Sequence, residues 1–241
     1  MIVSFFITIY NMSMDNNLIK YQNLSKLFKD NGYQLYLVGG TVRDYLLGLS
    51  LSDMDAVTDA TPEQMKAFLS DADFTFAKFG SVKCHYSETK FDITTLREEN
   101  GYVDSRHPEN IKFVKDLSVD VKRRDFTING LYLNDKFEVI DLVEGFADLN
   151  NRILRCIGDP EIRIKEDPLR IIRAIRFKID LNLEFDESLR MVMKNNIALL
   201  DKINPDKIKQ DLNKMKCREM DTILDTLADF NITHLYNMLE Y

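Results

Sequence analysis

An α/β fold is predicted for this chain: a small mixed sheet packed with helices, followed by an all-helical segment. Three features predict it. Short apolar runs of strand length stand beside stretches whose apolar residues recur at helical spacing, glycines and polar turns separate them, and beyond about residue 150 the spacing is helical. At 241 residues, with 45% hydrophobic and 29% charged content, the chain can bury a core in one or two domains.

Residues 16–31 carry Leu18, Tyr21, Leu24, Leu27 and Phe28 at helical intervals and are followed by Gly32, which reads as a leading helix with a C-cap glycine. Residues 35–38 have the length and composition of a buried strand and stop at Gly39 and Gly40. Val42, Tyr45, Leu46 and Leu49 return to helical spacing, so the order is strand, glycine turn, helix, with the helix N-terminus offered as a phosphate seat. Gly48 closes that helix. Residues 52–57 then alternate like a strand and set Asp53 and Asp55 on one face, about 6 to 7 Å apart. Carboxylates so placed repel, and strands disfavour Asp; bridging cations resolve both difficulties, and Mg²⁺ prefers hard oxygen ligands and substrate phosphates. A lone Asp-x-Asp more often flanks a turn, but the glycine turn upstream favours the metal reading.

Thr61, Pro62 and Gln64 read as N-cap, first helical residue and capping-box partner of a helix running to about Leu69. Residues 74–78, 82–86 and 91–96 read as three strands; Asp92 on the last is either a third carboxylate for the metal or a solvent-facing residue. Residues 97–109 have little periodicity and many turn formers, the pattern of a mobile loop. Ser118 can cap a helix that holds Asp120, Arg123, Arg124 and Asp125. Residues 137–142 make a short strand and 145–149 a turn, where Asp141 and Asp148 either orient the connection or stabilise its turns.

After Pro168, the residues Leu169, Ile172, Ile175 and Ile179 form the core stripe of a helix. Glu166, Arg170 and Arg173 lie on another face, four and three apart, where they can act together. Residues 187–200 and 205–216 are helical, and Lys207, Lys209 and Lys214 either meet an RNA backbone or form a solvated face.

The formal net charge of -7 provides no global attraction to nucleic acid, so any such contact must come from local basic patches. Cys84, Cys156 and Cys217 show no paired spacing and His85, His107 and His234 form no ligand cluster, so a reduced, cytoplasmic protein without zinc is expected. The apolar run 2–10 is too short to span a bilayer and lacks the basic start and cleavage site of a signal peptide; Met12 and Met14 are alternative starts to Met1.

Three motifs in order, Gly39-Gly40 with Val42-Arg43-Asp44 and Asp53-x-Asp55, then Arg123-Arg124-Asp125-Phe126-Thr127-Ile128-Asn129, then Glu166-Asp167-x-x-Arg170, resemble one signature. It is that of the polymerase-beta-like nucleotidyltransferases, in the class holding bacterial CCA-adding enzymes and poly(A) polymerases. The resemblance covers roughly residues 33–215. It implies a nucleotidyltransferase head with a small mixed sheet over residues 15–150 and an all-helical neck over 151–241, with the body and tail that grip tRNA truncated here. The implied reaction is addition of CCA to tRNA 3′ ends from CTP and ATP by two-metal nucleotidyl transfer with Mg²⁺. Alternatives are a poly(A) polymerase, an enzyme adding only CC or only A, and a non-catalytic RNA-binding remnant. RNA and the nucleotides are the implied partners, DNA and membranes are not, and the oligomeric state stays open.

The resemblance assigns roles that the chemistry suits. Asp53 and Asp55 hold the metal, while Gly39, Gly40, Thr41 and Arg43 cradle the triphosphate and Asp44 braces the turn. The guanidinium forks of Arg123 and Arg124 suit phosphate oxygens, the Asp125 carboxylate suits ribose hydroxyls, Asn129 holds the local turn and Asp120 sits at the site. Asp167 and Arg170, positioned by Glu166, read the incoming base. Cytosine and adenine each present an amine donor beside a ring-nitrogen acceptor, so this pair selects them and rejects uracil and guanine.

Overall fold

The computed structural model describes residues 16–51, 53–102 and 108–240. The apolar run 2–10, both alternative starts and the centre of the expected 97–109 loop lie outside them. The chain forms two compact units, the first comprising residues up to Asn100 with Asn110–Arg124 and Ile128–Phe146, the second Gly101–Glu109, Asp125–Thr127 and Ala147 onward.

In the first unit, α1 (Asn16–Asp30) leads into β1 (Leu35–Val38), α2 (Gly40–Leu46), β2 (Met54–Thr58) and α3 (Pro62–Met65). The Tyr21 hydroxyl donates to the carbonyls of Leu35 (3.0 Å) and Leu133 (2.9 Å), which pins α1 to the sheet. α2 ends at Leu46 and Gly48 turns left-handed, leaving Leu49 exposed instead of continuing the expected apolar stripe. The Thr61 capping box forms as read, but α3 ends at Met65, short of Leu69.

β3 (Ser81–Tyr86) and β4 (Thr89–Thr95) make a hairpin whose turn residues Ser87 and Glu88 both have positive φ. Of residues 97–109, expected as a loop, the described ones, 97–102 and 108–109, instead lie in a two-stranded sheet of β5 (Arg97–Tyr102) and β6 (Pro108–Phe113). The polar residues that hid the strand do so because a ribbon, unlike a core strand, needs no alternation of apolar residues. Residues 74–78, expected as a strand, are turn and 3₁₀ helix. Asp73 there takes the amide and hydroxyl of Thr75, a local bond that competes with a ladder. α4 (Leu117–Asp120) is capped by Asp116, not Ser118: the Asp116 side chain accepts from the Ser118 amide at 2.8 Å.

With β7 (Leu131–Leu133) and β8 (Val139–Asp141) the main sheet runs β3-β4-β2-β1-β7-β8. Only the β2–β4 pair is parallel; the other pairs are antiparallel. One sheet face packs with α1 around Tyr21, Phe28, Met54, Phe91 and Ile93. The other face opposes Asp55 to Asp92. The expected 145–149 turn is helix α5 (Gly145–Asn150), because Asp141 accepts the amides of Gly145 (3.0 Å) and Phe146 (2.9 Å) and so caps it.

From Ala147 onward the described residues of the second unit are helical apart from a parallel pair of two-residue strands, β9 (Ile153–Leu154) and β10 (Glu184–Phe185). Its helices are α6 (Pro160–Glu166), α7 (Leu169–Leu181), α8 (Glu187–Asn195), α9 (Pro205–Leu212) and α10 (Met220–Ala228). Leu169, Ile172, Ile175 and Ile179 are all buried, as the stripe predicts. Among the described residues no helix is long and apolar enough to cross a membrane.

Candidate active site

The register of three strands builds one row on the open sheet face. Asp55 on β2 pairs with Asp92 on β4, and Asp92 pairs with Lys83 on β3. Asp53 stands just before β2, and Lys90, two residues before Asp92 on the same face, reaches Asp92 Oδ2 at 3.3 Å and Asp53 Oδ1 at 3.7 Å. The Thr41 hydroxyl ties this row to the glycine turn, accepting from the Asp55 amide (2.8 Å) and donating to the Asp53 carbonyl (3.2 Å). Partial desolvation by the surrounding protein, although Asp55 keeps an exposed face, then the charges of Asp92 and Asp53, push its pKa up to about 6, against the opposing pull of Arg124 and Lys90.

These groups suit a hard divalent cation. Asp92 Oδ1 is shielded from solvent and has no hydrogen-bond partner, an acceptor left for a cation. Among the described residues no three His, Cys, Asp or Glu side chains converge as a closed cage.

A recess of about 180 Å³ opens at the row, lined by Val38, Gly39, Asp55, Asp92, Thr94, Arg123 and Arg124, among others. Asp120, wholly buried, organises its cationic wall. It accepts from Arg123 Nε (2.8 Å), Arg124 Nη2 (2.9 Å), the Tyr132 hydroxyl (3.1 Å) and the Arg97 amide (3.1 Å). Burial pushes the Asp120 carboxyl up, but Arg124, Arg123 and the Arg97 amide outweigh it and hold it below its ordinary value.

At the turn, Gly39 adopts φ 65 and ψ -131, a conformation essentially reserved to glycine. The Arg43 guanidinium is turned inward: its Nη1 donates to Asn129 Oδ1 (2.7 Å) and its Nη2 to Asp44 Oδ1 (2.7 Å). Arg43 and Asn129 therefore come together as a brace behind the turn, and Asp44 joins them.

In the second unit, Arg173 pairs with Asp125 through both Nε (2.9 Å) and Nη2. Arg170 is buried, donating to the Arg163 carbonyl (2.5 Å) and to Glu166 Oε2 (3.2 Å), and Glu166 is also held by Arg163. Asp167 accepts from the Leu169 amide at 3.1 Å, at the start of α7. Lys207 and Lys209 lie on α9 and Lys214 just past it; Lys209 pairs with Glu240 at 2.7 Å and Lys214 approaches Asp211 at 3.9 Å.

A family model described as the Poly A polymerase head domain matches residues 35–155, half of the chain. The chain belongs to this family. The CCA-adding enzyme of Lactobacillus helveticus is 40% identical over 197 residues, 82% of this chain and 49% of that enzyme. The crystal structure of the Bacillus stearothermophilus CCA-adding enzyme in complex with CTP aligns with a TM-score of 0.82 at 29% identity, covering 91% of this chain and 54% of that one. A Thermotoga maritima CCA-adding enzyme complexed with tRNA aligns at 0.74 and 25% identity, covering 95% of this chain and 54% of that one. This poly(A) polymerase head-domain chain thus spans about half the length of the curated relatives it matches.

Four residues at this head-domain site carry no motif: Lys90, Lys83, Arg97 and Tyr132. Lys90 was within reach of sequence reasoning, since strand alternation alone puts it beside Asp92. Lys83 needed the β3–β4 register, and Arg97 and Tyr132 needed the burial of Asp120.

Proposed function

We propose that the protein transfers nucleotides from CTP and ATP to RNA 3′ ends, building CCA on tRNA. The β2–β4 register supports this above all, since it sets Asp55 against Asp92 beside a recess rimmed by glycine backbone and two guanidinium groups. In this reading Asp53 and Asp55, with Asp92 beside them as a further catalytic carboxylate, would hold Mg²⁺, which when bound supplies charge to activate the 3′-hydroxyl and neutralise the triphosphate. Gly39, Gly40 and Thr41 offer backbone amides to the triphosphate, braced by Arg43 with Asp44 and Asn129. Arg123 and Arg124, aligned by Asp120, face the phosphates. Asp125, steadied by Arg173, takes the ribose. Arg170, held by Glu166, donates to the base's ring nitrogen while Asp167 accepts from its amine. Lys207, Lys209 and Lys214 lie along the RNA backbone, and the activity operates in the cytoplasm.

The deciding experiment offers each labelled NTP with Mg²⁺ to tRNAs ending at the discriminator base, at C and at CC. Two C and then one A is the expected product. The Asp53→Ala/Asp55→Ala protein should lose at least about a thousandfold in rate, the several kcal/mol that metal charge stabilisation supplies. Long A tails on unrelated RNA would instead support poly(A) addition, the reading that the matched family's description favours. Absence of incorporation by a folded protein would overturn both.

A further inference from the structure

Among the described residues of the first unit, exposed phenylalanine rings occur in one stretch of the fold. Phe76 is 48% and Phe79 and Phe113 each 37% exposed, although Phe is ordinarily among the most buried residues. Phe113 lies against Gly80, whose φ is +81 and where a Cβ would come within 2.8 Å of Phe113 Cε1, and Phe76 and Phe79 stand in the turn and 3₁₀ helix that lead into that glycine. Glycine there lets one ring lie against the backbone beside the turn that presents the other two.

Lysines accompany the rings. Lys83 Nζ lies 5.7 Å from the Phe76 ring centre and Lys78 Nζ 4.7 Å from that of Phe79. Residues 74–83 (FTFAKFGSVK) and 110–115 (NIKFVK) hold Lys78, Lys83, Lys112 and Lys115 and no acid, in a chain of formal net charge -7. The flanking carboxylates are engaged locally, Asp73 by Thr75 and Asp116 by the Ser118 amide.

The cluster is continuous with the carboxylate row. Lys83, over Phe76, pairs in register with Asp92, which pairs with Asp55. At about 4.8 Å per strand the rings begin roughly 10 to 15 Å from Asp55. That is about three or four bases stacked at roughly 3.4 Å each.

We propose that Phe76, Phe79 and Phe113, with Lys78 and Lys83, form a stacking platform for the single-stranded 3′ segment of the RNA acceptor. The proposal rests on the nucleotidyl-transfer reading above. Bases stack on the ring faces whatever their identity while the ammonium groups meet the phosphates, a combination suited to holding a strand whose terminal base changes at each addition. A purely apolar partner would leave the lysines without counter-charge.

The test measures binding of the full chain to a 5′-fluorescein single-stranded RNA of about twelve nucleotides, by anisotropy, at two salt concentrations. Phe76→Ala and Phe79→Ala should each weaken binding about tenfold, Phe76→Tyr and Phe79→Tyr should retain it, and Lys78→Ala should reduce the salt dependence, all with CTP affinity unchanged. Wild-type RNA affinity in both alanine variants would overturn the platform. So would equal losses in the tyrosine variants, or wild-type self-association through these rings, abolished by alanine, with RNA binding intact. Incorporation assays separate this from the parent reading. If the wild type extends tRNA and the alanine variants keep its KM for RNA, the platform alone fails; if it extends nothing yet shows the stacking pattern, the platform stands as an RNA surface and the transfer reading fails.

Discussion

Two carboxylates at the candidate site respond to pH in opposite directions. Asp120 is held low by Arg124 and Arg123, so it contributes stability above the ordinary carboxylate range and loses it as pH falls through its depressed value. Asp120→Ala would remove the buried acceptor that Arg123 and Arg124 share and should cost about 3–5 kcal/mol in urea denaturation at pH 7. Asp55 is raised to about 6, so the folded chain binds its proton more tightly and stability falls as pH rises from about 4 to about 6. Asp55→Asn should therefore match the wild type near pH 4 and exceed it at pH 7 in EDTA, by under about 1 kcal/mol once solvent screening is allowed for. Adding Mg²⁺ at pH 7 should raise the melting temperature of the wild type more than that of the variant. Asp53 and Asp55 were legible because alternation fixes their common face; the partnership of Asp55 with Asp92 was not, because it depends on a pairing across more than thirty residues.

Elements were legible wherever their signal was local. Thr61-Pro62-Glu63-Gln64 forms its capping box, and Thr61→Ala should cost about 1 kcal/mol by chemical denaturation. The glycine turn is equally local: Gly39→Ala forces a Cβ into φ 65, and a loss of about 1–3 kcal/mol with weakened CTP binding in calorimetry is expected. Residues 74–78 misled because Phe and Thr favour strands, whereas here the Phe76 ring faces solvent and the Asp73 carboxylate takes the Thr75 amide. α6, which the sequence reading did not include, has an Asp159 cap and a first-turn Pro160, the counterpart of Thr61 and Pro62 at α3.

For the whole molecule, the charge balance bears on the proposed binding of RNA. A chain of net charge -7 has no long-range pull on a polyanion, so its affinity for single-stranded RNA should fall only modestly with salt. If about three lysines contact phosphates, the slope of log K against log salt should be close to -2, and a much steeper slope would require a larger basic surface.

Residue chemistry and short-range geometry were set by sequence alone: the apolar stripe of α7, the glycine turn, Asp53 and Asp55 at the start of β2 and the order of the three motifs. Each depends on contacts within one or two turns of chain, where backbone sterics and hydrogen bonding leave few choices. The tertiary structure decided which side chains meet. It put Asp92 opposite Asp55, turned Arg43 to Asn129 and buried Asp120 between Arg123 and Arg124. Those meetings depend on strand register and on close packing, which bring together residues that no spacing rule connects.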